Sequence, residues 1–124
     1  MTASRILIVD DNAMNLEMAS FLLTQDGWEV AEAKDAAQAM ACLQTFCPDV
    51  VLMDIQLPDV DGLTAARQIK EQVKDRDVPV IAFTAYAMRG DKARLLAAGC
   101  DGYIAKPIDV STFSSEIRAV ADQA

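Results

Sequence analysis

The sequence predicts an α/β fold in one domain: a doubly wound, five-stranded parallel sheet covered by helices on both faces. Three observations carry this. Apolar, β-rich runs alternate with helical patterns five times along the chain, which is the pattern of repeated βα units. The runs "ILIV" (6–9) and "VVLM" (50–53) are continuous rather than alternating, as strands buried on both sides are. The chain has 124 residues, 52% of them apolar, with no linker, repeat or low-complexity stretch, so one domain with a real core is expected over residues 1–124.

The predicted strands are Ile6–Asp10, Glu29–Ala33, Val50–Asp54, Val80–Thr84 and Gly102–Ala105. Each is short, apolar and bounded by turn or capping residues. The helical stretches between and after them are Ala13–Gln25, Ala36–Phe46, Leu63–Val73, Arg89–Ala98 and Val110–Ala121. Gly27 and Gly99 follow two of these, where a left-handed cap is wanted. Pro48 and Pro79 stand just before strands and stop the preceding helix. In the last stretch Val110, Phe113, Ile117 and Val120 recur at helical spacing and are expected to form its buried stripe. The first helix carries apolar residues on two sides. Met14, Met18, Phe21 and Leu22 gather on one, and Leu16, Ala19 and Leu23 on nearly the opposite one. One side must pack on the sheet. The other is either sandwiched between neighbouring elements or left as an exposed strip for a partner, and on the second reading Leu16 and Leu23, or Met14 and Phe21, join a docking surface.

Composition excludes several classes of function. The formal charge of −8 argues against binding nucleic acid or an anionic membrane through bulk electrostatics. The absence of histidine removes Ser-His and Cys-His catalysis, most zinc sites and any role as a phosphohistidine donor. Cys42, Cys47 and Cys100 are odd in number and fit no metal spacing; they read as small packed residues in a reducing compartment. No signal peptide and no membrane-spanning segment is visible, so a cytoplasmic location is expected.

Right-handed crossovers bring all five strand C-termini to one edge of the sheet, where open α/β sheets bind ligands. The first strand delivers Asp10 and Asp11 there, the third Asp54, the fourth Thr84 and the fifth Lys106. Any one of these alone is an ordinary turn, cap or surface residue; their convergence is what makes a pocket. Three carboxylates in one place repel one another, and a divalent cation relieves this. An oxygen-rich site without histidine or thiolate suits Mg²⁺. With Lys106 and Thr84 beside it, such a site would hold phosphoryl oxygens, and a carboxylate in it is a competent nucleophile toward phosphorus. A nucleotide cofactor is disfavoured, because the loop "DDNAMN" places two anions where a cofactor phosphate would sit and no GxGxxG is present.

"ILIVDDN", "VVLMDIQLPDVDG", "VIAFTAYA" and "GYIAKPI" together resemble the CheY-like receiver domain of two-component response regulators, in order and over essentially the whole chain. The wording of "DDNAMN", "MDIQLP", "TAYAMRGD" and "YIAKPI" looks most like DivK-type single-domain regulators, and receivers of hybrid histidine kinases use similar phrases. The resemblance implies a flavodoxin-like (βα)5 domain with strand order 2-1-3-4-5. It implies that Asp54 is the phosphoacceptor, which spacing alone does not choose over Asp10 or Asp11. It further implies that Mg²⁺ or Mn²⁺ is held by Asp11 and Asp54, by Asp10 mainly through water, and by the backbone carbonyl of Gln56. Thr84 would be the switch hydroxyl, Lys106 the phosphoryl partner, Pro107 the turn residue after it, and Tyr103 the switch aromatic. The implied function is that of a stand-alone response regulator without an output domain, phosphorylated by a histidine kinase or histidine phosphotransfer protein. It would catalyse only its own phosphorylation and dephosphorylation, and would signal to a protein partner through the face of the fourth helix, fifth strand and fifth helix. The alternative is a phosphorelay shuttle, or a receiver excised from a hybrid kinase. A phosphohydrolase of the haloacid-dehalogenase type would need a second aspartate two residues after its nucleophile, where this chain has Gln56.

Overall fold

The computed structural model describes residues 4–54, 62–73, 78–84, 100–105 and 110–123. The described elements, in chain order, are β1 (Arg5–Val9), α1 (Ala13–Gln25), β2 (Glu29–Ala33), α2 (Ala36–Cys42), β3 (Val50–Asp54), α3 (Gly62–Gln72), β4 (Val80–Thr84), β5 (Gly102–Ala105) and a C-terminal helix (Phe113–Gln123). The predicted fourth helix, Arg89–Ala98, and Gly99 lie outside the described residues. The five strands form one parallel sheet in the order β2-β1-β3-β4-β5, as expected.

Side chains alternate across the sheet with the period of two that a strand imposes. Leu7, Val9, Val51, Met53, Val80 and Ala82 face α2 and α3, packing with Ala39, Leu43, Ala66 and Ile69. Ile6, Ile8, Val50, Leu52, Ile81 and Phe83 face the other way, against Leu16, Ala19 and Leu23 of α1 and Phe113 and Ile117 of the C-terminal helix. Both faces are therefore buried, and β1 and β3 read as unbroken apolar runs for that reason. The two helices on this second face are also tied to each other. At the C-cap of α1, Asp26 accepts hydrogen bonds from the Ser114 hydroxyl and, at 2.9 Å, from Arg118 Nε, and these partners hold its carboxyl below the usual aspartate range. Arg118 also lies 4.8 Å from the Trp28 ring centroid.

Element ends differ from expectation in physically readable ways. β1 stops at Val9, with Asp10 just beyond the ladder, its N–H still donating to Ala33 O at 3.0 Å. α2 ends at Cys42 rather than Phe46: Gln44 and Thr45 donate three residues back, to Ala41 and Cys42, and the tightened turn runs out before Pro48. The C-terminal helix begins at Phe113, so Val110, 65% exposed, stands before it instead of in the buried stripe. The helical ladder opens with Glu116 N–H donating to Thr112 O at 2.9 Å, which leaves Val110 ahead of the helix. Gly27 has φ +92, and Trp28 N–H closes back on Leu23 O at 3.0 Å, the left-handed cap expected there. Of the cysteines, Cys100 is buried and Cys42 partly so, but Cys47 is exposed, because it sits in the connector after α2 and not on a packed face.

Candidate functional site

β1 and β3 are neighbours, with Val9 level with Met53. One step further, Asp10 and Asp54 come side by side at the C-terminal edge of the sheet, with Asp11 following on the loop. One carboxylate oxygen from each of the three residues lies within 4.8 Å of the others. Asp10 and Asp54 are buried and Asp11 is exposed, so the cluster opens to solvent on the Asp11 side. Asp10 and Asp54 are the only acidic residues buried among those described. Burying like charges at one point is costly unless a cation compensates. The donors are carboxylate oxygens throughout, with no sulfur or nitrogen, a set that fits a hard divalent ion such as Mg²⁺.

The remaining predicted residues are placed unequally. Thr84 closes β4, one register step beyond Phe83, which is level with Asp54 on the adjacent strand, and Thr84 itself is level with Ala105. Tyr103 lies on β5, level with Ala82, and is exposed. Gln56, Lys106 and Pro107 lie outside the described residues.

Asn12, a loop residue by sequence pattern, has a defined role in the structure. Its extended backbone (φ −89, ψ 114) forms the N-cap of α1, and its side-chain oxygen accepts from Asn15 N–H at 3.1 Å. Its own N–H donates to Asp10 Oδ1 at 2.9 Å. The available signal was an asparagine placed just before a helical pattern.

The first helix resolves its two apolar sides. Leu16, Ala19 and Leu23 are buried against the sheet, whereas Met14 (74% exposed), Met18 and Phe21 (61%) face solvent. With Glu17 they line a surface groove of about 450 Å³. At the opposite edge of the sheet the described residues include a structural ion pair. There Asp101 accepts from Val80 N–H at 2.8 Å and pairs with Lys70 Nζ at 2.6 Å, and Lys70 also donates to Val78 O at 3.1 Å. Beside them, burial pushes the Cys100 thiol up to about 11, away from reactivity.

The fold is shared with known proteins. Residues 6–118 match the family model described as the response regulator receiver domain. The chain is 39% identical over 114 residues to the polar-differentiation response regulator DivK of Brucella ovis and of Brucella suis, covering 92% of this chain and 93% of each relative. Among solved structures, the Vibrio cholerae chemotaxis protein CheY4 superposes with a TM-score of 0.90 at 26% identity, covering 96% of this chain and 99% of that one. The receiver domain of a Pseudomonas aeruginosa sensor histidine kinase superposes with a TM-score of 0.85 at 34% identity, covering 98% and 99%; it has a magnesium ion coordinated in its active-site cleft. The chain belongs to the response regulator receiver family, a family of regulatory phosphoacceptor domains in two-component signalling.

Proposed function

We propose that the chain is a stand-alone response regulator that accepts a phosphoryl group on Asp54 with Mg²⁺ or Mn²⁺ and signals by changing its protein contacts. The observation that carries this is the convergence of Asp10, Asp11 and Asp54 within 4.8 Å at the C-terminal edge of the sheet. The three carboxylates and the Gln56 carbonyl would hold the cation, which supplies charge neutralisation for incoming phosphoryl oxygens. An Asp54 oxygen attacks the phosphorus of a phosphohistidine on a histidine kinase or histidine phosphotransfer protein. An O–P bond forms as the N–P bond breaks, and the bonding pair leaves on the imidazole nitrogen. Thr84 and Lys106 bind phosphoryl oxygens, with Pro107 fixing the turn after Lys106. Thr84 moves toward the new charge, and Tyr103 follows into the vacated space. That shift is read by a downstream partner at the face of the predicted fourth helix, β5 and the C-terminal helix. The phosphodonor docks over the exposed Met14 and Phe21 strip, which begins in the first turn of α1, three residues along the chain from Asp11. The protein turns over no separate substrate, and a cytoplasmic setting fits this role; no described helix is long and apolar enough to cross a membrane.

A second reading, phosphorelay shuttle or receiver of a hybrid kinase, is favoured by the 34% identity to the Pseudomonas kinase receiver. The 39% identity to the DivK response regulators supports the first reading. Calorimetric titration tests the metal site that both share. We expect one Mg²⁺ per chain. Asp11→Asn should weaken binding by more than the roughly 10-fold that losing an outer partner of a metal ligand costs. Equal binding by wild type and Asp11→Asn contradicts the assignment.

A further inference from the structure

Asp10 is fixed from two directions. Its backbone N–H is held by Ala33 O at 3.0 Å, and its Oδ1 accepts the Asn12 N–H at 2.9 Å. The direction of that N–H is in turn set by the role of Asn12 as N-cap. The Asn12 side chain holds Asn15 N–H at 3.1 Å, and its carbonyl accepts Leu16 N–H at 3.1 Å. A residue held at both its side chain and its carbonyl has little freedom to turn its own N–H away. The same few atoms therefore start α1 and orient a buried carboxylate of the cluster.

We infer that Asn12 is a positioning residue for the cation site: its cap on α1 aims its N–H at Asp10 Oδ1 and so presets the carboxylate for the metal. The inference rests on the proposed metal site. Hydrogen-bonded partners that orient metal ligands govern affinity although they never touch the ion. Asn12→Ala keeps the N–H but loses the side-chain acceptor, so the first turn of α1 frays and the N–H is no longer aimed. A cap that serves only the helix would change stability alone.

The test is a Mg²⁺ titration of the full chain by calorimetry, alongside thermal unfolding without metal, for wild type, Asn12→Ala and Asn12→Ser. Serine also caps helices. Asn12→Ala should weaken Mg²⁺ binding by roughly 10-fold, and Asn12→Ser should restore most of it. Asn12→Ala with lowered stability but wild-type Mg²⁺ affinity overturns the inference while leaving the metal site standing. If Asn12→Ala does not fold, Asn12→Gly, which also lacks the side-chain acceptor for Asn15 N–H and frees the backbone at this position, should bind Mg²⁺ more weakly than wild type, and a wild-type affinity in it overturns the inference equally. A wild type that binds no Mg²⁺ overturns both.

Discussion

Asp101 and Asp10 show how one residue type does different work at the two ends of the same sheet. Asp101 sits at the N-terminal end of β5, half-exposed, satisfying Val80 N–H and pairing with Lys70. Its work is structural. Asp101→Ala leaves the Val80 N–H without that acceptor and is expected to cost about 1–3 kcal/mol. Asp101→Asn keeps an acceptor oxygen, loses only a partly exposed ion pair, and should cost less than about 1 kcal/mol. Urea unfolding of both variants measures this; equal losses would mean the charge, not the acceptor, matters. Asp10, Asp11 and Asp54 are the opposite case, because their mutual repulsion weakens the fold unless something offsets it. That the three converge was legible in the sequence, since they end unbroken apolar runs and right-handed crossovers bring those strand ends to one edge. The share taken by Asn12 was not legible. It acts through a backbone N–H, and no residue type announces which way a backbone N–H points.

The first helix illustrates what periodicity settles and what it leaves open. The two apolar sides of α1 were visible in the sequence, but their sorting depends on which side meets the sheet, and both are equally apolar. Once Leu16, Ala19 and Leu23 are buried on Ile6, Ile8 and Leu52, Met14 and Phe21 have no packing role. Leu23→Ala should therefore cost about 2–5 kcal/mol. Met14→Lys and Phe21→Lys should change stability by no more than about 0.5 kcal/mol. The same two variants should slow phosphotransfer from a phosphohistidine protein but not labelling by a small phosphodonor. Unchanged transfer from the protein donor would remove α1 from the docking surface. The late start of the C-terminal helix has a related cause. Val110 fits the apolar spacing, but the hydrogen-bonded ladder opens only at Thr112 O, and apolar spacing does not say where that ladder opens. At the other end of this helix the packing is tight: a Cβ on Gly102 would meet Val120 Cγ2 at 2.9 Å, so any larger residue there makes the Val120 side chain shift.

The molecule as a whole is organised by the parity of its strands. Odd and even residues of β1, β3 and β4 serve opposite helical layers, which leaves only the strand ends for polar chemistry. The alternation of strands and helices was legible from hydrophobic runs and turn residues. Strand order was not, because a parallel strand carries no sequence mark of its neighbour. The order β2-β1-β3-β4-β5 came from the family resemblance and is what sets Asp54 beside Asp10 on one side and Thr84 on the other. Asp54 is thus the carboxylate at the centre of the edge, with the acidic pair on one flank and β4 on the other. Incubation with Mg²⁺ and acetyl phosphate, read by intact mass, asks whether that position makes it the phosphoacceptor. The wild type should gain one phosphoryl group, and both Asp54→Asn and removal of the metal by a chelator should abolish the gain. A phosphoryl group that still appears on Asp54→Asn, or no adduct on the wild type from acetyl phosphate or any phosphohistidine donor, would contradict the account.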